Sequence, residues 1–241
     1  MTATTERTVK SMVLDDFRTA SVFEKHSIDF CCNGNKPLDA ACAEKGLDPE
    51  QVLREIEAMK SGADDNNQGF AQLSLDALID HIVTTHHAYV RLAIPALLIH
   101  TAKVASVHGQ NHPELLTIAE KFKAVADELT NHMMKEERIL FPYIKSLANA
   151  QKNGTSLPTP PFGSVVNPIR MMEAEHQSAG DALYYIREAS NGYTVPADGC
   201  TTFKVTYQEL EQFEMDLHQH VHLENNILFP KAIELEKTVL L

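Results

Sequence analysis

HMMKEERILFP (residues 132–142) and HVHLENNILFP (residues 220–230) share the pattern H-x-x-x-E-x-x-I-L-F-P. Residues four apart on a helix lie on the same face, so each stretch directs one imidazole and one carboxylate to the same place. The repeated Ile-Leu-Phe-Pro supports a duplication within the chain. It indicates no chemistry, since Pro142 and Pro230 can simply kink or end their helices.

A single candidate histidine precedes each stretch at almost the same distance. His87 lies 45 residues before His132, and His176 lies 44 residues before His220. Two His and Glu pairs together with two single histidines predict a site for two metal ions. The predicted ligands are His87, His132, Glu136, His176, His220 and Glu224.

The composition excludes several classes of protein. The chain has 241 residues, with 33 acidic against 21 basic residues and a net charge of −12, so nonspecific binding to nucleic acid or to an anionic membrane is not expected. No apolar run approaches the roughly 20 residues of a membrane span, and the polar start of the chain does not resemble a signal peptide. We therefore expect a cytoplasmic protein.

The chain divides into two predicted domains. Residues 1–62 are expected to form a small helical domain, with a first helix over 12–25, a second opening at Pro37 and a third over 48–59. The polar stretch 63–72 predicts a linker, and residues 73–241 form the larger domain.

The larger domain is predicted to be an all-α four-helix bundle. Apolar residues recur there at steps of three and four, which is typical of bundle helices, and the Pro-rich stretch 151–168 separates two helical hairpins. The candidate ligands fall on the apolar seams, at positions where leucine would otherwise stand. The helices are expected near 73–105, 112–148, 168–190 and 200–236.

Metal binding explains the polar groups on these seams. Burial of charged carboxylates without a partner costs several kcal/mol each, whereas a metal ion supplies the missing positive charge. One zinc ion would need only four ligands, and structural zinc sites more often use cysteine. Six ligands suit two ions bridged by carboxylates, as in di-iron or di-manganese bundles, and the imidazole-rich set favours iron.

The remaining histidines leave one alternative open. His86 competes with His87 for the first ligand position, and helix phase alone does not decide between them. Glu128 and Glu175 lie close to ligands in sequence, so either can orient a ligand, relay protons or simply be solvated. The other histidines are expected at the surface or beside the ligands: His81, His100, His108, His112, His218 and His222.

The four cysteines fit no disulfide framework. Adjacent Cys31 and Cys32 favour two free thiols, a metal or cluster contact, or a relay to another protein, because a disulfide between neighbours is strained. Cys42 and Cys200 are expected to be small buried hydrophobic residues.

The chain resembles the Repair of Iron Centres family, the YtfE/ScdA type of hemerythrin-like di-iron protein. The resemblance covers nearly the whole chain. It is carried by Ile28-Asp29-Phe30-Cys31-Cys32, Ile79-Asp80-His81-Ile82 before His87, His132 to Glu137, Met172-Glu173-Ala174-Glu175-His176, Cys200-Thr-Thr-Phe203, and His220 to Pro230. It implies a hemerythrin-like bundle after a small ScdA-type domain, with two irons ligated by the four histidines and bridged by Glu136 and Glu224.

The resemblance also implies a function. The family is associated with repair of iron–sulfur clusters damaged by nitric oxide or oxidants, and its positions matching Glu128 and Glu175 are associated with access to the centre. Iron donation to damaged iron–sulfur proteins, assisted by Cys31 and Cys32, is the first hypothesis. Reduction of NO to N2O is the second, and O2 binding or redox sensing is the third. A homodimer is also expected.

Overall fold

The computed structural model describes residues 7–16, 19–26, 28–30, 34–60 and 69–239. These residues form helices joined by turns, and their only extended pairing is an isolated bridge between Thr8 and Pro37. The chain separates into two compact units, Met1–Ser74 and Leu75–Leu241. The predicted all-α class is therefore confirmed.

The described residues of the smaller unit form four helices. The prediction of one helix over 12–25 was wrong: it is divided, because Asp16 has an extended backbone (φ −155°) that ends the first helix. Asp48 accepts a hydrogen bond at 3.1 Å from the backbone N–H of Glu50 and so marks the start of the fourth. The helices are α1 Val9–Asp15, α2 Thr19–Lys25, α3 Leu38–Lys45 and α4 Pro49–Lys60, followed by a 3₁₀ turn at Phe70–Gln72.

A small apolar core holds this unit together. Phe23, Phe30 and Leu38 are almost completely buried there. Cys42 is also buried, as expected, and burial raises the pKa of its thiol. This core is the part of the unit that follows directly from the apolar residues of the sequence.

The larger unit contains four long helical runs, three of them interrupted by π-helical turns. The first run is α5 Leu75–His81, π1 Ile82–His87 and α6 Ala88–His108. The second is α7 Glu114–Lys135, π2 Glu136–Leu140 and α8 Phe141–Asn153. The third is α9 Val166–Ala189, and the fourth is α10 Thr201–Leu223, π3 Glu224–Leu228 and α11 Phe229–Val239. The four predicted helices are confirmed, and the first, second and fourth extend a few residues further.

The helices of the larger unit close into a bundle. α6 packs against α7 and α10, and α9 packs against the same two helices, so the four surround one core. Phe122 and Phe213 meet edge to face in that core, with ring centroids 5.3 Å apart.

The first helical run is more apolar than the sequence pattern indicated. Leu75–His108 contains a window with mean hydropathy 1.4, and by length and composition alone it could cross a membrane. A third of that window is buried in the bundle, while Leu92, Ile99 and Val107 are exposed. A core helix of a soluble protein passes the same test, so this property is weak evidence of a membrane span.

Glu236 ties the connection between the two hairpins to the last helix. Its buried carboxylate accepts hydrogen bonds from the Tyr143 hydroxyl (2.8 Å), the Ser164 hydroxyl (2.5 Å) and the backbone N–H of Val165 (2.8 Å). Val165 directly precedes α9. One side chain therefore joins three segments of the larger unit.

Glu236→Ala is expected to lower the free energy of unfolding by about 2–4 kcal/mol, because it leaves three donors without their acceptor. Glu234→Ala on the same helix is the matched control. Glu234 is exposed and, among the described residues, pairs only with Lys237, so its loss should cost less than about 0.5 kcal/mol. Urea unfolding of the two variants tests this, and equal losses would contradict the assigned role.

Candidate metal centre

The π-helical turns present the candidate ligands to the bundle interior. His87 ends π1, Glu136 begins π2 and Glu224 begins π3. Pro142 and Pro230 follow the last two turns, and neither can donate the backbone hydrogen bond that a regular α-helix would require there. Such π turns are frequent at functional sites, because the extra residue in the turn redirects the side chains.

All six predicted ligands converge in the core, and each is at most 1% exposed. They form two groups that share both carboxylates. One group contains His87 and His220 with Glu136 and Glu224, and the other contains His132 and His176 with the same two glutamates. Within each group the ligand atoms lie within 4.8 Å of one another.

Each group draws on both halves of the duplicated chain. His87 lies in the first half and its partner His220 in the second, while His176 of the second half meets His132 of the first. Neither helical hairpin therefore contains a complete group alone. The centre forms only when the two hairpins pack together.

Three of the four imidazoles are fixed by a hydrogen bond at Nδ1. His87 Nδ1 lies 2.6 Å from Glu137, His132 Nδ1 lies 2.9 Å from Glu175, and His176 Nδ1 lies 2.9 Å from the side-chain oxygen of Asn225. These acceptors favour the tautomer in which Nδ1 carries the proton. The lone pair of Nε2 is then free to bind an ion, which is the usual arrangement around metal-ligating histidines.

The Nε2 atoms of the four histidines face one another and the two carboxylates in the interior of the centre. His87 Nε2 lies 3.2 Å from His220 Nε2, and His132 Nε2 lies 2.9 Å from His176 Nε2, while His220 Nε2 also lies 3.1 Å from Glu224. Among the described residues, neither oxygen of Glu136 has a partner with hydrogen-bonding geometry. Positive ions between these groups would satisfy both, so the residues present fit metal ions.

Electrostatics in the centre already favour charged carboxylates. Burial raises the pKa of Glu136 and of Glu224, but the adjacent imidazoles lower it by more, so the pKa of Glu136 lies below its ordinary value and that of Glu224 lies well below. Burial also lowers the pKa of His132, while the surrounding carboxylates, Glu136 first, raise it to about 9. The metal-free centre therefore holds a proton in place of part of the metal charge.

The phenylalanines of the repeated motif pack on the ligands. Phe141 stacks on His87 with ring centroids 5.7 Å apart, and Phe229 stacks on His176 at 6.1 Å. The repeated Ile-Leu-Phe-Pro thus contributes to the centre, which the sequence pattern did not indicate. Each phenylalanine supports the single histidine of its own half.

Two protein families match this chain. Residues 78–232 match the family described as "Hemerythrin HHE cation binding domain", and residues 5–60 match ScdA_N, described as a domain of unknown function (DUF542). The hemerythrin match covers the whole candidate centre. The larger unit is therefore a domain of the hemerythrin cation-binding type.

Proteins similar over almost the whole chain come from bacteria. The "Iron-sulfur cluster repair protein YtfE" of Enterobacter sp. (strain 638) is 34% identical, covering 92% of this chain and 94% of its own length. The protein of the same name from Escherichia coli O157:H7 is 35% identical, covering 90% of this chain and 91% of its own length. This chain belongs to the YtfE family. The "Probable iron-sulfur cluster repair protein" of Haemophilus influenzae is also 34% identical, over 88% of this chain and 90% of its own.

The other predicted site residues of this YtfE family member lie in different places. Glu175 touches the centre through His132 and also accepts a hydrogen bond from Lys135, and these two hydrogen bonds outweigh partial burial and lower its pKa. Glu128 is exposed and accepts a hydrogen bond from Ser178 at 3.1 Å, and no described hydrogen bond joins it to a ligand. Cys31 and Cys32 lie outside the described residues.

Sequence patterns missed several groups around the centre. Glu137 and Asn225 each follow a ligating glutamate directly, and each holds the single histidine of its own half. In the sequence, the only sign of these two residues was that a polar residue follows the glutamate in both copies of the motif, as H-x-x-x-E-[E/N].

Two other histidines lie outside both groups of candidate ligands. His86 was left as an alternative ligand, but it is buried and bonded to Asp216 at 2.9 Å. His222, expected at the surface or beside the ligands, is buried with Asn226 at 2.9 Å.

The expectation that Cys200 is buried was wrong. It is exposed at the start of α10, and its thiol lies 3.2 Å from Nε2 of His108. The backbone N–H of Phe203, first, and then His108 lower the pKa of Cys200 to about 7. A cysteine that directly precedes a helix lies where the helix N-terminus stabilises a thiolate. The position of Cys200 before the predicted fourth helix was therefore a signal for a lowered pKa, but the sequence analysis treated the residue as apolar.

Alkylation of Cys200 by iodoacetamide is expected to be half-maximal near pH 7, since about half of this thiol is then ionised. Because the pKa is lowered, the rate should fall as the pH falls below 7. His108→Gln is expected to shift the midpoint upward. Peptide mass spectrometry follows Cys200 separately from the other cysteines, and a midpoint near 9 in the unaltered chain would contradict the prediction.

Proposed function

We propose that the centre binds two iron ions bridged by Glu136 and Glu224. The support for this is that both groups of ligands contain both carboxylates, so that each carboxylate can contact two ions. Four imidazoles and two carboxylates suit iron in a helical bundle. When bound, such ions supply exchangeable ferrous iron or one electron each.

We further propose that the chain repairs iron–sulfur clusters in proteins damaged by nitric oxide or oxidants, with iron as the cargo. The observation that supports it most is a buried six-ligand centre in a chain that aligns almost end to end with iron–sulfur cluster repair proteins. Those relatives carry that function in their names. The same centre in this chain is then the store from which iron is delivered.

Two chains of charged side chains connect the centre with solvent. Arg91 donates to Glu137, which holds His87, and Lys135 donates to Glu175, which holds His132. The side chains of Glu137 and Glu175 are more than a quarter exposed. Because only one residue separates each imidazole from water, loss of either hydrogen bond would free one ligand and loosen the iron.

We propose that Cys31 and Cys32 take part in the transfer. Thiolates bind iron and accept it readily from oxygen and nitrogen ligands. We also propose that the protein acts in the cytoplasm, whose reducing conditions keep such thiols free, and that it forms a homodimer.

Anaerobic transfer of iron to a cluster-depleted enzyme tests repair. The iron-loaded chain, given sulfide and a thiol reductant, is expected to restore activity of the depleted enzyme at stoichiometric iron. Cys31→Ser with Cys32→Ser should slow the transfer while leaving the iron content unchanged. Cys42→Ser, at a buried thiol, is the matched control. No restoration by the loaded chain would refute the proposal.

Reduction of NO to N2O is a second candidate. The shared carboxylates would hold two ferrous ions side by side, and the pair would supply the two electrons that, with two protons, convert two NO molecules to N2O and water. The Lys135, Glu175 and His132 chain offers a path for protons from solvent. Gas analysis after NO addition, with Glu136→Leu as the comparison, tests this candidate, and no N2O from the reduced chain would exclude it.

A further inference from the structure

A cavity lies beside the candidate metal centre. It has a volume of about 410 Å³ and opens between α6, α7 and π2. Its lining includes Arg91, Ile94, Pro95, Asn131, Met134 and Arg138. This volume falls within the range of about 300–1,000 Å³ that is typical of small-molecule sites.

The backbone of α6 is irregular at this cavity. Pro95 lies inside the helix and has no N–H to donate to the carbonyl of Arg91 one turn earlier. On the opposite wall, α7 gives way to the π2 turn at Glu136. A proline in α6 and the start of the π2 turn therefore lie on opposite sides of the cavity.

The charge of the cavity differs from that of the chain as a whole. The chain carries −12, yet two arginines and one carboxylate line this cavity. Arg91 donates one Nη to Glu137 and keeps further N–H groups for a ligand. Arg138 is exposed, and it forms no ion pair with any residue that the structure describes. One guanidinium is therefore uncompensated at the cavity.

Apart from Thr130 and Asn131, the rest of the lining is apolar. Ile94 and Met133 are almost fully buried at its base, and Met134 is partly exposed. Methionine side chains adapt to ligands of different shape. An occupant that satisfies both parts of the cavity has an anionic group for the arginines and an apolar body for the base.

We propose that this cavity binds a small organic carboxylate with an apolar body, whose acid group meets Arg138 and the free donors of Arg91. The site does not depend on the repair function. Its position is nevertheless close to the metal centre, because Glu137 joins Arg91 to His87. The ligand would occupy the outer end of one of the two chains that lead to a metal ligand.

Calorimetric titration of the metal-loaded chain with indole-3-propionate tests the proposal. A ligand of this size is expected to bind once per chain, with a Kd on the order of 1 mM. Indole-3-propionamide has the same shape without the charge and should bind about tenfold more weakly. Inorganic phosphate should also bind more weakly, because it has no apolar body.

Arg138→Gln is expected to weaken indole-3-propionate binding about tenfold. Arg170→Gln, at an exposed arginine on α9, is the matched control and should leave binding unchanged. Absence of binding, equal binding of the amide or of phosphate, or equal behaviour of the two variants would overturn the proposal.

Discussion

Glu224→Ala is expected to remove both metal ions from the chain, whereas His176→Asn is expected to remove only one. The difference follows from the geometry, because Glu224 belongs to both groups of ligands and His176 belongs to one. Loss of a residue that only supports a ligand already costs about 10–100-fold in metal affinity. Loss of a shared ligand should therefore cost more than about 100-fold at both positions.

Replacing one histidine of each group in turn tests the two metal positions separately. His220→Asn should empty the group that contains His87, and His176→Asn should empty the group that contains His132. The unaltered chain should retain two ions. His100→Asn, a partly exposed histidine bonded to Glu209, should also retain two. Metal analysis by mass spectrometry after anaerobic reconstitution and dialysis gives the stoichiometry of each variant.

A single ion in the unaltered chain would contradict the shared-carboxylate arrangement. So would retention of one tightly held ion in Glu224→Ala, because the two groups would then be independent. The measurement also separates a two-metal centre from one four-ligand zinc site. In the latter case one pair of histidines could be replaced without effect.

The convergence of the candidate ligands could be predicted from the sequence because they are spaced by the helix itself. His132 and Glu136 are one turn apart on an apolar seam, and the second copy repeats this spacing at His220 and Glu224. The seam must face the core for reasons of packing. Polar groups on it are therefore directed inward whatever the details of the neighbouring helices.

The choice between His86 and His87 required the structure. Both residues lie in the π1 turn, where the extra residue changes the phase of the helix. Helical periodicity assumes the same number of residues in every turn, so in a π turn it cannot say which of two neighbouring residues faces the core. As a result both imidazoles are buried, and only His87 joins the carboxylates.

Contacts between distant segments were beyond sequence patterns. His108 approaches Cys200 across 92 residues, and no local signal relates the two. The cavity at Arg91 and Arg138 likewise depends on how α6 and α7 pack. Periodicity predicts which face of a helix is buried, but not which side chains meet at its edges.

Metal binding near neutral pH is expected to release about one proton from the centre. Burial lowers the pKa of His132, but Glu136 and its neighbours raise it to about 9, above the ordinary 6.5. In the metal-free chain this proton stabilises the fold below about pH 6.5, and the stabilisation is lost as the pH rises through about 9. Metal affinity has the opposite dependence and should rise about tenfold per pH unit between pH 7 and 9.

Titrations in buffers of different protonation enthalpy count this proton, and the count should fall from about one at pH 7 to about one half at pH 9. Glu128→Gln, at an exposed glutamate without a bond to any ligand, should leave the count unchanged. Glu175→Gln should reduce it, since the bond from His132 to Glu175 helps to raise the pKa of that imidazole. A proton count near zero at pH 7 would mean that His132 is already neutral. The metals would then enter without competition, and acidification to pH 7 would not promote release of iron.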